Sequence, residues 1–278
     1  MIKLTKHLMA GAGFSWAALL VATIGLVSAA HSWPMKAEAG QSSQPLVLVA
    51  DDQYGNTPLH KAVVIENLEA ISDLLAAGAD LEARNQDGLT PLHYAASGGS
   101  PEVITTLLAA GADLKARNQA SFTPLHYAAY NGSPEAITTL LAAGADLEVR
   151  SEDGWTPLHH AAHGGNPKSI TTLLAAAADL EAHSQLGNTP LHYAVSGKSP
   201  EAITTLLAAG ADLEARDQFG ATPLHYAASG GSPEVITTLL AAGADLRAQA
   251  QVDVTPLHIA ASRGCLLYTS DAADEEDS

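Results

Sequence analysis

The chain of 278 residues has little cysteine, few aromatic side chains and little positive charge. Its single cysteine, Cys265, has no second cysteine to pair with, so no disulfide can form within the chain. Phe, Trp and Tyr make up 5% of the residues, and a core with so few rings has to consist mainly of small aliphatic side chains. Acidic residues outnumber basic ones by 30 to 13, and the net charge of −17 disfavours binding to the phosphate backbone of nucleic acids.

Patterns that mark catalytic sites are missing as well. The sequence has no G-x-S-x-G nucleophile motif, no glycine-rich phosphate loop, no H-E-x-x-H zinc motif and no calcium-loop pattern. Because Cys265 is the only thiol, the chain before it cannot use thiol catalysis. The sequence therefore predicts a protein that is not an enzyme and that needs no cofactor.

The sequence does contain one tetrapeptide, Thr-Pro-Leu-His, seven times at a constant spacing of 33 residues. The copies begin at Thr57, Thr90, Thr123, Thr156, Thr189, Thr222 and Thr255. A threonine followed by proline predicts the start of a helix, because the hydroxyl caps it and proline suits its first position. A Ser-Pro-Glu triplet at residues 100–102 predicts a second helix, whose apolar stripe comprises Ile104, Leu107 and Leu108. Each unit is thus a pair of short helices.

The period and the motif resemble those of the ankyrin-repeat family over residues 51–264. The resemblance implies an all-α solenoid of seven stacked helix–turn–helix units with short β-hairpin fingers, the last unit being incomplete. Neither helix of a unit is long enough to be stable alone, so each unit buries its stripe against the next. The family also implies a structural role for the motif histidine, which hydrogen-bonds the motif threonine and neighbouring backbone.

Some units depart from the pattern at a glycine. The finger glycine is replaced by Ser121 in the third unit and by Asp253 in the seventh, which predicts strained or differently shaped fingers there. The glycine that ends the second helix becomes Ala177 in the fourth unit, which is the least regular inner copy.

Both ends of the chain differ from the repeats. Lys3 and Lys6 precede an apolar run, and Ser28 and Ala30 fit a signal-peptidase site, so residues 1–30 are predicted to be a signal peptide and residues 31–50 a linker. The alternative is that the apolar run is an uncleaved membrane anchor. Residues 265–278 resemble a translated sequencing-library adapter, the alternative being a genuine acidic tail. We therefore expect an exported protein, periplasmic or secreted, of bacterial type.

Positions that vary while the repeat frame stays constant are the candidates for partner recognition. The finger tips and the exposed ends of the first helices form a concave recognition face in ankyrin proteins, which implies an unknown protein as the partner. The candidate partner-binding residues are Phe122, Tyr130, Trp155, His163, Leu89, Asn188 and Phe219. Large rings gather in the third and fourth repeats, where exposed aromatic side chains would anchor an interface. The alternative is that Phe122 and Trp155 only pack onto neighbouring fingers.

The predicted function is thus that of a non-catalytic, monomeric scaffold for protein–protein interaction. One alternative is a regulatory or targeting part of a longer enzyme, and another is a structural or metal-binding repeat protein. The best metal candidates are His159, His160 and His163, but no cysteine and no further ligand at a defined spacing accompany them. We therefore interpret His160 and His163 as surface histidines that replace Tyr and Ser of the other units.

Overall fold

A computed structural model describes residues 50–262, which form a stack of helix pairs. The first helices of the successive units are α1 (Pro58–Val64), α3 (Pro91–Gly98), α5 (Pro124–Asn131), α7 (Pro157–His163), α9 (Pro190–Ser196), α11 (Pro223–Gly230) and α13 (Pro256–Ser262). The second helices are α2 (Leu68–Ala76), α4 (Pro101–Ala109), α6 (Pro134–Ala142), α8 (Pro167–Ala175), α10 (Pro200–Ala208) and α12 (Pro233–Ala241). The all-α solenoid predicted from the repeat is confirmed.

The helices begin where the sequence places their caps. Thr90 has extended backbone before α3, its N–H and side chain pair with His93 three residues ahead, and Pro91 occupies the first helical turn. The second helices begin after a short polar residue, as at Ser133, whose hydroxyl accepts a hydrogen bond from the N–H of Ala136 at 3.3 Å. Each unit therefore carries its own start signals for both helices.

One continuous apolar core runs along the stack. The isoleucine and leucine of the second-helix stripe are fully buried in each inner unit, as at Ile137 and Leu140. Alanines on the first helices, such as Ala128 and Ala129, are also fully buried and allow adjacent units to approach closely. The first helices pack more extensively on one another than the second helices do, so the stack is concave on the side of the first helices.

The finger segments are tight turns, and residues 50–262 contain no β-strand, so the expected β-hairpins are absent from this region. Neighbouring fingers are linked by one backbone hydrogen bond, for example from the N–H of Gln218 to the carbonyl oxygen of Leu186 at 2.9 Å. A single bond per pair is too little for a β-ladder. Ser121 and Asp253 both adopt the left-handed backbone of the glycine that they replace, with φ of 63° and 57°. The seventh finger differs in forming a short 3₁₀ turn at Gln251–Asp253, in which Val252 is left-handed as well.

Several predictions fall on residues outside the described range. These are the signal peptide or anchor at residues 1–30, all but the last residue of the linker at 31–50, and the tail at 265–278. Among residues 50–262, no helix is both long enough and apolar enough to cross a membrane.

Candidate partner-binding surface

Each of the first six fingers is held by a polar side chain at its base, whereas the seventh has Ala250 at this position. In the second unit Asn85 accepts hydrogen bonds on Oδ1 from the N–H groups of Asp87 and Leu89, at 3.0 and 2.9 Å. The backbone N–H of Asn85 also donates to the carbonyl oxygen of Leu89, and Gly88 in between has a left-handed φ of 76°. These bonds fix the direction of both side chains, so Asp87 points to solvent and Leu89 points into the stack.

The motif histidine of one unit fixes the finger of the next. His93 Nε2 lies 3.0 Å from the carbonyl oxygen of Phe122, and the same bond recurs along the stack from His60 to His225. Because Nδ1 accepts the N–H of the motif threonine, the proton has to sit on Nε2 and the ring has to be neutral. Burial lowers the pKa of His93 and His126 to about 4 and that of His159 to about 3. The predicted structural role of these histidines is confirmed in the inner units.

The fingers therefore present two different positions, which we name by their surroundings. The inward position directly precedes the motif threonine and comprises Asn56, Leu89, Phe122, Trp155, Asn188, Ala221 and Val254. The tip position lies two residues earlier and comprises Tyr54, Asp87, Ala120, Asp153, Leu186, Phe219 and Val252. The set of candidate residues predicted from the sequence contains members of both positions. The order of each residue relative to the finger glycine separates them, because the residue after the glycine turns inward.

The expectation that Phe122 and Trp155 are exposed on the recognition face is wrong. Their side chains are only 6% and 3% exposed, and Leu89 and Asn188 at the same inward position are 3% and 0% exposed. The physical reason is the hydrogen-bonded finger turn, which directs each inward residue between adjacent units. The alternative given above for Phe122 and Trp155, packing between units, describes the structure. Of the candidate residues, Tyr130, His163 and Phe219 remain partly accessible to a partner.

The buried rings form an aromatic cluster between the third, fourth and fifth units. The Trp155 ring lies 4.0 Å from the Tyr193 ring and 5.1 Å from the His160 ring, measured between centroids. Phe122 contacts His160 from the other side at 4.6 Å, nearly edge to face. His160 is fully buried, so its interpretation as a surface histidine is wrong. It occupies the position of Tyr127 and Tyr193, and the larger Trp155 packs beside this shorter side chain.

Tyr130 and His163 lie above this cluster at the ends of neighbouring first helices. Their ring centroids are 6.1 Å apart, and both side chains are partly exposed. His163 is also 5.6 Å from Trp155, so a buried ring supports the accessible one. Burial raises the pKa of Tyr130, which keeps its phenol neutral. The other units carry Val64, Ser97, Ser196, Ser229 and Ser262 at this position, and thus only the third and fourth present rings.

Metal binding has no geometric support in this region. Within residues 50–262 no three His, Cys, Asp or Glu side chains are grouped closely enough to hold an ion. His159 is engaged with Asn188 and Thr156, and His160 lies among aromatic rings. The side chains that the structure brings together are suited to packing and to contact with another surface.

These features define a class of protein, a helical repeat solenoid whose frame is constant and whose accessible variable side chains lie at the finger tips and the ends of the first helices. The family model described as ankyrin repeats (3 copies) matches residues 37–118, 59–151, 125–217 and 198–270. The chain therefore belongs to the ankyrin-repeat family. Ankyrin repeats are protein–protein interaction domains and are typically non-catalytic.

Two solved structures illustrate the similarity. The crystal structure of the human ASB11 ankyrin repeat domain has a TM-score of 0.66 and 29% sequence identity, with 74% of this chain and 92% of that chain covered. The ankyrin repeat domain of Bcl-3, a member of the IκB protein family, has a TM-score of 0.60 and 35% identity, with coverage of 75% and 96%. No curated protein sequence matches the chain.

Proposed function

We propose that the chain is a non-catalytic scaffold that binds a protein partner on its concave side, with Tyr130 and His163 at the centre of the contact. The observation that carries this proposal is that these two rings are adjacent, partly exposed and supported by buried Trp155. Rings held in place by packing lose little conformational entropy on binding, which is why such side chains serve as interface anchors.

The repeat itself supplies matched substitutions for a test. Tyr130→Ser and His163→Ser introduce the residue that four other units carry at this position, so the fold tolerates both changes. A variant of the convex side, Thr171→Ala, serves as the control because Thr171 is exposed on α8. We expect the control to capture the same proteins from a cell-envelope extract as the wild type does. The double variant should bind them about thirtyfold more weakly, corresponding to a loss of about 2 kcal/mol.

Equal capture by a folded Tyr130→Ser/His163→Ser variant would contradict this assignment. Phe219→Ala provides a second comparison, since Phe219 is a partly exposed tip residue two units away. A loss of binding caused by Phe219→Ala alone would move the contact to the finger tips of the C-terminal half.

The proposal includes export of the protein and action as a monomer outside the cytoplasm. Its support is the order of charge, apolar run and small residues before His31. Mass spectrometry of the protein recovered from a bacterial envelope should find a mature N-terminus near His31. An intact Met1 in membrane-bound material would favour the anchor instead, and light scattering gives the oligomeric state directly.

A further inference from the structure

The first unit exposes apolar surface that the inner units bury. Pro58, Ala70 and Leu74 are partly exposed, whereas the residues at the same positions of the second to sixth units are buried. Ile65 is 44% exposed and occupies the position that faces a preceding unit. The equivalent residue of the fifth unit is Gly197, and a Cβ on it would collide with the carbonyl group of His163 in the unit before. A side chain at this position therefore points towards the preceding unit.

We define the N-terminal face of the stack as Pro58, Ile65, Ala70 and Leu74. Leu68, beside it at the start of α2, is a further 41% exposed. A stack that ends in water carries a polar outer side on its terminal unit, and this face is apolar instead. It therefore requires a cover.

The sequence register identifies that cover. The connection between second helix and finger carries a leucine packed against the core in six successive units, at Leu81, Leu114, Leu147, Leu180, Leu213 and Leu246. Subtracting the 33-residue period from Leu81 gives Leu48. The finger that follows keeps the pattern too, because Asp52 Oδ1 accepts the N–H groups of Tyr54 and Asn56 in the way that Asn85 does in the next unit. The repeat thus continues upstream of α1.

The upstream copy of the sequence pattern differs from the others in having no polar residue at the four positions before Ala50. Where the next unit has Ala79-Asp80-Leu81-Glu82, with Asp80 exposed, this copy has four apolar residues at 46–49. All four side chains of this segment can therefore contribute apolar surface to the face that lacks a neighbour.

Ala50, the residue that follows this segment, lies beside α1. Lys61 Nζ donates to the carbonyl oxygen of Ala50 at 2.7 Å, so the chain enters the first unit alongside α1. Four extended residues span about 13 Å, which matches the length of about 13 Å of a nine-residue helix such as α2. We propose that Leu46–Val49 lies on the N-terminal face and closes the stack in place of a preceding unit. The segment follows Ala30 and is retained whether or not the signal is removed.

A photo-crosslinking residue at Leu68 tests this contact in the full chain. The expected product is a crosslink within one molecule to the peptide containing residues 46–49, found by mass spectrometry. The same probe at Leu257, which is exposed at the opposite end, should give no such product. A crosslink from Leu68 to another chain would overturn the proposal and assign the face to a second copy.

Substitution of the segment gives an independent readout. Leu46→Ser/Leu48→Ser should raise hydrogen exchange in α1 and α2 at least tenfold and leave α9 and α10 unchanged. The control Ser42→Gly/Ser43→Gly, just upstream, should have no effect. Unchanged exchange in α1 and α2 after the leucine substitutions would overturn the proposal, because a cover that contributes nothing to protection does not close the face.

Discussion

His126 Nε2 donates a hydrogen bond to the carbonyl oxygen of Trp155, 3.1 Å away and 29 residues further along the chain. Its Nδ1 accepts the N–H of Thr123 at 3.0 Å, so one neutral imidazole ties the start of α5 to the finger of the next unit. A charged ring would have to donate from both nitrogens and would lose the bond at Nδ1. The repeat contact is therefore sensitive to protonation.

The first prediction is that stability falls as the pH is lowered from about 6.5 to about 4. Burial lowers the pKa of His93, His126 and His192 to about 4, below the ordinary value of about 6.5, so the unfolded chain takes up these protons first. Each such histidine costs about 1.4 kcal/mol per pH unit in this window, and the loss levels off below it. Urea unfolding at pH 7.5, 6.5, 5.5 and 4.5 measures this decrease in the free energy of unfolding. A wild-type free energy of unfolding that stays constant between pH 7 and 5 would contradict the prediction.

Trp155→Ala should destabilise the fold by about 3–5 kcal/mol, because a large buried ring leaves a cavity. The ring is 3% exposed and packs on Tyr193 and His160. Phe219→Ala, which removes a partly exposed tip residue, should have a much smaller effect. Thermal or urea unfolding of both variants measures the two losses of stability. Equal losses would contradict the distinction between a buried inward position and an accessible tip position.

The frame of this protein could be predicted from the sequence because its signals are local and repeated. Thr90, Pro91 and Gly111 specify where helices begin and end, and the constant period specifies the stack. The burial of Trp155 could not be predicted in the same way, since it depends on a hydrogen bond from His126 in the previous unit and on Ser151, whose hydroxyl accepts the N–H of Trp155. Variation between the units at this position suggests an exposed site. At Trp155 the variation has another cause, because the large indole ring packs beside His160, which is smaller than the tyrosine of other units.

Ala177→Gly should stabilise the protein by about 1 kcal/mol. Ala177 has a left-handed φ of 70°, where Gly144 and Gly210 of the neighbouring units have 95° and 98°. An alanine in this conformation costs roughly 1–2 kcal/mol, part of which is offset by the greater flexibility of glycine in the unfolded chain. Gly144→Ala is the converse change, and a Cβ there would meet no other atom, so it should destabilise through the backbone alone. Opposite shifts of the melting temperature are expected, and shifts of the same sign would contradict this account.

The last prediction concerns Asp217, which holds the sixth finger where the second and third units use asparagine. Its Oδ1 accepts the N–H groups of Phe219 and Ala221, both at 2.8 Å, and its Oδ2 accepts the hydroxyl of Tyr226 at 2.9 Å. The side chain is 6% exposed, and burial raises its pKa. Because the ionised form is less favourable in the folded state than in the unfolded state, this carboxyl group lowers stability above its unfolded pKa of about 3.9.

Asp217→Asn should therefore stabilise the fold at pH 7, by about 1 kcal/mol, and the gain should vanish as the pH falls towards 4. The amide oxygen retains both backbone bonds, and Nδ2 can donate to the Tyr226 hydroxyl as Asn118 Nδ2 does to Tyr127 at 3.0 Å. The reverse change, Asn85→Asp, would place a carboxylate beside Asn56 Oδ1, which now accepts a bond from Asn85 Nδ2, and should destabilise at pH 7. A stabilisation by Asp217→Asn that is equal at pH 7 and pH 4 would show that shape, rather than the buried charge, distinguishes the two side chains.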